Sequence, residues 1–274
     1  MATVAAIPLD SEPRRDMLSG TPRAHSVDRW IYVAMAAWFI LIVLVGFIPD
    51  SFERMAAIET GRRPPFPMMA HVHAVLMGTF MLLLLAQTSL VATGRCEYHR
   101  RLGLVSILLV PALVVAGCML ATINYNGVLN GSQFGPLAAR AGLSARLPII
   151  ENILLMQLRI GILFSLLLAI GLAARGRDAG LHKRMMILGT GVALPPAIDR
   201  MHWLPATLPD SPLSPDLYVL LVLSPMFIWD LARNRSVHRA YWLFLAIYLA
   251  AAVVVHGLWD TPWWHATARG ILAG

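Results

Sequence analysis

Seven long runs of apolar residues follow one another along the 274 residues of the chain, separated by short polar and basic segments. A helix needs about 20 predominantly apolar residues to cross the hydrocarbon core of a bilayer. The fifth and sixth runs are shorter than the other five. The pattern predicts seven membrane-spanning helices: Trp30–Ile48, Ala70–Val91, Leu102–Thr122, Leu147–Ala174, Met185–Ile198, Leu217–Leu231 and Tyr241–Leu258.

Two segments contain residues that form turns or break helices, one between the third and fourth runs and one within the fifth run. The stretch NYNGVLNGSQFG lies within residues 123–146, where its Asn-Gly and Gly-Ser steps predict turns in the longest outer loop. Pro195 and Pro196 stand near the outer end of the fifth run, where proline should kink or end the helix. We therefore expect an irregular fifth segment.

Composition supports the same fold class, an all-α polytopic membrane bundle. The chain is 58% hydrophobic and only 14% charged, whereas soluble domains carry about 25% charged residues. We expect a single seven-helix transmembrane domain over residues 29–274, with no soluble catalytic module. Residues 1–28 lack the apolar stretch of a cleavable signal peptide, so they are predicted to form a disordered cytoplasmic N-terminal segment.

The placement of basic residues predicts the orientation of this bundle. Lys and Arg concentrate on the cytoplasmic side of membrane proteins, so the N-terminus should be cytoplasmic and the C-terminus outside, in a bacterial-type inner (plasma) membrane. The net charge of +7 is then a topology signal, and the expected partner is the lipid bilayer and not nucleic acid. Fourteen of the 22 basic residues lie on the predicted cytoplasmic side: Arg14, Arg15, Arg23, Arg29, Arg95, Arg100, Arg101, Arg175, Arg177, Lys183, Arg184, Arg233, Arg235 and Arg239.

The predicted topology brings several metal-ligand side chains to one level near the outer surface. Ionisable groups inside a membrane are costly, so they normally face the bundle interior and pair with one another or line a functional cavity. Imidazoles and carboxylates together suit zinc or iron, and nearby methionines favour copper. The candidate metal ligands are His71, His73, His202 and His256, and the candidate acid–base groups are Glu151 and Asp199.

His71 and His73 point in different directions on an ideal helix, about 200° apart. One imidazole is therefore a candidate ligand, while the other has a supporting or interfacial role. Packing alone explains the pair almost as well as a metal or haem site, and a proton relay is a third interpretation. His265, in the tail, is expected at the membrane interface.

Arg159 is the most unusual residue of the fourth run, because arginine keeps its charge at any depth. It lies eight residues beyond Glu151, about 12 Å deeper along the helix. An ion pair with Glu151 or Asp199 would hold the bundle together. Alternatively, Arg159 binds an anionic group such as a haem propionate, a lipid phosphate or a substrate carboxylate. Gln87 is a candidate to complete this polar or cofactor-binding network.

Three predicted spans begin with a histidine followed by a basic residue, in YHRRLG, LHKRMM and VHRAYW. These histidines are His99, His182 and His238, and the predicted topology places all three at the cytoplasmic face. Histidine and arginine sit comfortably at headgroup level, so anchoring of the helix starts explains the recurrence. The alternative is a cytoplasmic site formed by the three rings.

Residues 70–103, AHVHAVLMGTFMLLLLAQTSLVATGRCEYHRRLG, resemble a recurring pattern in uncharacterised polytopic bacterial inner-membrane proteins. In that family a His-x-His helix with a Gln near its inner end runs into a Gly-Arg…His-Arg-x-Leu-Gly turn. LHKRMMILG and the Asp199–Arg200 step are similar to its later helices. The resemblance implies a multi-span fold and no established chemistry.

The leading functional hypothesis is a membrane metalloprotein with haem, iron, zinc or copper in the outer half of the bundle. Iron or haem would support an oxidoreductase or electron carrier, with a hydrophobic small molecule or a quinone as partner. Zinc would instead activate water for hydrolysis of a hydrophobic substrate. A proton- or ion-coupled transporter or channel, and a non-catalytic accessory subunit, are the alternatives.

Overall fold

The computed structural model describes residues 16–272, and this part of the chain is mainly helical, with no strand. Ten helices are present in it. Their bounds are α1 Ser26–Glu59, α2 Met68–Ala92, α3 Cys96–Gly103, α4 Val105–Phe134, α5 Leu137–Ala174, α6 Ala179–Gly191, α7 Pro195–Ile198, α8 Leu213–Asn234, α9 Arg239–Leu258 and α10 Pro262–Leu272.

Six helical segments in residues 16–272 are long and apolar enough to cross a membrane. This confirms the all-α, multi-pass membrane fold predicted from the apolar runs. The six segments are Ser26–Glu59, Met68–Ala92, Cys96–Phe134, Leu137–Ala174, Leu213–Asn234 and Arg239–Leu258.

The fifth predicted span is a broken helix. α6 has 13 residues and α7 has four, and Pro195 begins α7 because proline is tolerated in the first turn of a helix. The broken segment still runs from one end of the bundle to the other. Arg184 near its start contacts Asp230 of α8, whereas Arg200 just beyond α7 contacts Asp50 of α1.

These contacts define two ends of the bundle. The basic end comprises residues 16–32, 87–103, 171–184 and 228–241, and the far end comprises residues 46–73, 121–152, 195–218 and 252–272. Between them lies the apolar core of the bundle, which includes Phe39, Leu167, Leu188, Met226 and Phe244.

The connection between α4 and α5 is much shorter than predicted. The turns expected in NYNGVLNGSQFG are wrong, because α4 continues through this stretch to Phe134 and only Gly135 and Pro136 precede α5. Glycine and asparagine weaken a helix by about 1 kcal/mol or less each, and packing of Tyr125 in the bundle offsets this (Tyr125 is 2% exposed). The chain turns only where Pro136 ends the helix.

Part of the predicted disordered segment is packed against the basic end. Leu18 is fully buried, and Asp16 lies 2.6 Å from Lys183 Nζ and 2.9 Å from Arg184 Nη2. Residues 16–28 thus pack against the basic end, residues 1–15 lie outside the described part of the chain, and the disordered N-terminal segment stays a prediction.

Candidate functional site

The histidines of α2 do not form a common site with the other predicted ligands. His71 is exposed and its ring lies edge-on to Phe66, with centroids 6.0 Å apart. His73 packs beside Gly117 of α4, and its buried Nδ1 has no partner within residues 16–272. Across those same residues, no three His, Cys, Asp or Glu side chains lie close enough to hold a metal ion.

Asp199 and His202 line a separate far-end cavity of about 110 Å³, together with Tyr218. Both residues are exposed. Arg200, between them in sequence, turns away to Asp50 of α1, with Nε 3.1 Å from Oδ2. The arrangement holds α7 against α1 and leaves Asp199 and His202 apart from the histidines of α2.

Glu151 belongs to a cluster that docks α10 onto α5. Its Oε2 lies 2.7 Å from His265 Nδ1, and its backbone carbonyl accepts a hydrogen bond of 2.9 Å from Trp264 Nε1. Tyr125 donates to the other carboxylate oxygen over 3.4 Å. His265, expected at the membrane interface, is thus largely covered and serves as the partner of Glu151.

Arg159 pairs with a residue that the sequence reasoning missed. Its Nη2 lies 2.5 Å from Asp216 Oδ1, so the prediction of Glu151 or Asp199 as partner is wrong. Arg159 and Asp216 are 5% and 6% exposed. Asp216 stands one residue before the predicted sixth span, and a slightly earlier helix start would have placed it in the membrane.

Asp216 joins three helices. Its carboxylate also accepts a hydrogen bond of 3.0 Å from the Tyr248 hydroxyl, and its Oδ2 lies 3.0 Å from His256 Nε2. Arg159 lies on α5 and the other two partners on α9. Breaking a buried ion pair by removing one partner is costly, so this cluster, which includes the predicted ligand His256, ties the far end together.

A second buried ionic cluster closes the basic end. Arg184 is fully buried and donates to Asp230 from both Nε (2.5 Å) and Nη2 (2.9 Å). Burial alone would raise the pKa of the Asp16 carboxyl, but Arg184 and Lys183 hold that pKa well below its usual range. Tyr241 donates a further hydrogen bond of 2.8 Å to Asp230.

His99 and His182 face each other at this same end. Their ring centroids are 6.3 Å apart and the ring planes are 76° from parallel. His99 Nδ1 lies 3.3 Å from the carbonyl oxygen of Gln87, and His182 Nδ1 lies 2.8 Å from that of Gly171. A carbonyl can only accept, so both rings carry their proton on Nδ1 and expose the Nε2 lone pair.

His238 has the opposite tautomer and does not belong to this pair. Its Nδ1 accepts a hydrogen bond of 3.1 Å from the backbone N–H of Ala240 and caps the start of α9. Burial lowers the pKa of the His238 imidazole, and the charge of Arg184 lowers it further. Of the three histidines that begin spans, therefore, only His99 and His182 donate from Nδ1 to a backbone carbonyl and keep Nε2 as their ligand-type nitrogen.

Gln87 lies beside the imidazole pair, as its carbonyl contact with His99 shows. In the described part of the chain its buried Oε1 has no hydrogen-bond partner. The side chain lines a cavity of about 60 Å³ that also borders His99. The sequence suggested Gln87 as part of a network with Arg159, but Gln87 lies at the basic end, whereas Arg159 pairs with Asp216 of the far end.

The geometry thus offers one unusual chemical arrangement, the imidazole pair, and three ionic clusters that tie helices together. No protein-family model, no curated protein and no solved structure matches the chain, so the resemblance seen in residues 70–103 stays a prediction.

Proposed function

We propose that this multi-pass membrane protein binds haem at the basic end and acts as an electron carrier. In this proposal His99 Nε2 and His182 Nε2 would hold the haem iron. The observation that carries it is the facing pair of imidazoles from two different helices, each with its Nδ1–H held by a backbone carbonyl.

The carbonyl contacts are what a metal-binding histidine needs. A histidine ligand almost always donates its other ring N–H to a carbonyl or carboxylate, which fixes the tautomer and the ring orientation. Here the Gln87 carbonyl does this for His99 and the Gly171 carbonyl for His182. The chain therefore holds both rings ready for a ligand before any ligand binds.

The spacing of the rings supports a metal bound between them. The ring centroids are 6.3 Å apart and metal–imidazole bonds are about 2.0–2.1 Å long, so both imidazoles would reach one bound metal.

The number of ligands favours haem over a bare ion. Structural and catalytic zinc sites use three or four protein ligands, and residues 16–272 bring no third His, Cys, Asp or Glu to this pair. A haem would bring its own porphyrin nitrogens, so the two histidines would suffice to hold it. Arg100, adjacent to His99, and Arg175, at the end of α5, are nearby cations suited to the propionates.

Bound haem would supply one-electron chemistry, and the second shell tunes its potential. The protein itself contributes the fixed imidazoles and a half-buried location at one end of the bundle. Electron transfer from a partner at this end therefore needs no movement of the apolar core.

A second candidate is the proton- or ion-coupled transporter considered from the sequence. The Asp216 cluster favours it, because a half-exposed imidazole, His256, contacts a buried carboxylate that also holds Arg159. Broken helices such as α6–α7 are common at transporter binding sites. Transport would be independent of bound haem, which separates the two proposals.

The test is the haem and metal content of the detergent-purified protein, produced with an adequate haem supply. We expect near-stoichiometric iron, a Soret absorption band and a pyridine haemochrome. In His99→Ala and His182→Ala the haem content should fall at least tenfold. The matched control is His71→Ala/His73→Ala, which removes two imidazoles at the far end and should keep the haem.

Two results would overturn the proposal. Wild-type protein without haem, after haem-replete production and attempted reconstitution with hemin, would exclude the function. A metal that disappears only in His71→Ala/His73→Ala would move the site to the far end, as the sequence hypothesis had it. Thermal unfolding followed by tryptophan fluorescence checks that each variant is folded.

A further inference from the structure

The far-end cavity is lined by two of the predicted ligand residues that the proposed haem site does not use. It measures about 110 Å³ and lies between α7, the loop that follows it and the start of α8. Asp199 and His202 border the cavity, and both residues are exposed, so the site is accessible from outside the protein. The apolar part of the lining includes Ile198, Met201, Leu204, Pro205, Ala206 and Pro215.

Asp199 brings a negative charge to this cavity, and the protein does not neutralise it by contact. Burial by the surrounding protein raises the pKa of the Asp199 carboxyl, against the charges of Arg200 and of protonated His202. In residues 16–272 no hydrogen bond to this carboxyl contributes. Arg200 itself turns away, with Nε 3.1 Å from Asp50 Oδ2. A cation bound beside Asp199 would favour the ionised carboxylate.

The other polar side chains that line the cavity already have partners. Tyr218 donates from its hydroxyl to the carbonyl oxygen of Pro205 over 2.6 Å. Ser214 Oγ accepts a hydrogen bond of 2.9 Å from the backbone N–H of Thr207 and lies 3.0 Å from Thr207 Oγ1. Among the described residues of the lining, the Asp199 carboxylate and the His202 imidazole are therefore the side-chain groups left for a ligand.

We infer that this cavity binds a primary ammonium group, carried either by a small soluble amine or by the head group of a phospholipid such as phosphatidylethanolamine. The ammonium donates one hydrogen bond to the Asp199 carboxylate, which also supplies the opposite charge. A second goes to the acceptor nitrogen of neutral His202. The apolar lining contacts the short carbon chain that carries the ammonium. None of these contacts depends on haem at the basic end.

The size of the cavity limits the ligand to a short amine or to the end of a larger one. A cavity of about 150 Å³ binds benzene, which has six heavy atoms. The cavity of about 110 Å³ therefore admits roughly four or five heavy atoms, as in ethanolamine. Trp203, next to His202, is 73% exposed, and tryptophan is typical of the membrane interface, where phospholipid head groups lie.

Saturation-transfer NMR with ethanolamine as the probe tests the site. The protein is first washed extensively in dodecyl maltoside, which carries no amine, to remove bound phospholipid. Ethylene glycol is the neutral probe of equal heavy-atom count, and we expect a signal from ethanolamine but not from ethylene glycol. This comparison uses wild-type protein and so does not depend on the folding of any variant.

Asp199→Asn tests the role of the carboxylate. The variant should weaken the ethanolamine signal about tenfold, because a hydrogen bond to a charged group is stronger than one between neutral groups. Asp210→Asn is the matched control, since Asp210 is an exposed carboxylate of the same loop that does not line the cavity. It should keep the signal.

The source of the ammonium is determined in nanodiscs. Protein in phosphatidylglycerol alone is compared with protein in a mixture of phosphatidylglycerol and phosphatidylethanolamine. Loss of the ethanolamine signal in the mixture would assign the site to the lipid head group, whereas an unchanged signal would assign it to a soluble amine.

Three results would overturn the inference: no ethanolamine signal from washed wild-type protein, an equal signal from ethylene glycol, or an equal ethanolamine signal from folded Asp199→Asn. The measurement does not require haem. Protein without haem can therefore still bind the amine, and a haem protein can fail this test, so the two proposals fail separately.

Discussion

At the scale of single residues, neighbours decide what each histidine of this chain can do. His99 and His182 donate through Nδ1 and leave Nε2 open, whereas His238 accepts through Nδ1. His256 and His265 contact carboxylates instead. The same side chain thus serves as a ligand candidate, a helix cap and an ion-pair partner in one small bundle.

His238 should make the stability of the protein depend on pH. Its imidazole has a pKa below the ordinary value of about 6.5, through burial first and Arg184 second, against the opposing charges of Asp16, Asp178 and Asp230. The unfolded chain therefore takes up this proton first, and acidification from pH 7 favours unfolding. Protonation would also remove the acceptor that caps α9.

Replacement of His238 by asparagine, which caps a helix and does not titrate, should flatten this dependence. Melting temperatures of wild type and His238→Asn, measured between pH 7.5 and 5, give the comparison. We expect the wild type to lose more stability than the variant as pH falls. Parallel curves would show that other groups account for the acid sensitivity.

Residue types in the sequence singled out the histidines and Arg159, but their partners could not be read from it. Asp216 lies 57 residues beyond Arg159 in the chain, and no local pattern joins the two. The facing of His99 and His182 depends likewise on how α3 and α6 pack. The position of a residue along its predicted span can be read from the sequence. Which side chains pair depends on how each helix is rotated about its axis, and the sequence does not give that rotation.

At the scale of helices, the short helix α7, which follows the break in the fifth span, packs closely against α1. A Cβ built on Gly46 would lie 2.0 Å from the carbonyl oxygen of Ala197 in α7. Only glycine permits this approach, which brings the short helix directly against the backbone of α1. The apolar pattern located the fifth span and its prolines, but it did not indicate that Gly46 of α1 contacts α7.

Gly46→Ala should therefore loosen the contact between α1 and α7. Overpacking of this kind costs about 1–3 kcal/mol or more, so the melting temperature should fall by several degrees. Gly78→Ala is the matched control, since a Cβ on Gly78 meets nothing within 4 Å. We expect this helical glycine to tolerate alanine or gain from it, and similar losses in both variants would contradict the close fit.

At the scale of the whole molecule, the distribution of charge distinguishes the two ends. The basic end carries most of the arginines and lysines, so the positive-inside rule predicts that this end faces the cytoplasm. The helical architecture was predictable because backbone polar groups in a bilayer must be hydrogen-bonded within the protein. Only helices and closed barrels meet this requirement. The number of continuous membrane-spanning helices was not predictable, because the α6–α7 segment runs from one end of the bundle to the other as two short helices.

Cysteine labelling in cells tests this orientation. In a Cys118→Ser background, exposed Cys96 at the basic end should react with a membrane-impermeant maleimide only after permeabilisation. Thr60→Cys, placed at the exposed end of α1 in a Cys96→Ser/Cys118→Ser background, should react in intact cells. The reverse pattern would place the basic end outside.

The two-residue connection between α4 and α5 has a practical consequence for imaging. Helices of 30 and 38 residues are about 45 and 57 Å long, well beyond a hydrocarbon core of about 30 Å. Their joined tips, where Phe134 and Leu137 are 78% and 81% exposed, therefore form a stalk at the far end. A soluble domain inserted between Gly135 and Pro136, or an antibody fragment raised against the stalk, would give this 30.1 kDa protein the fiducial mass that single-particle electron microscopy needs.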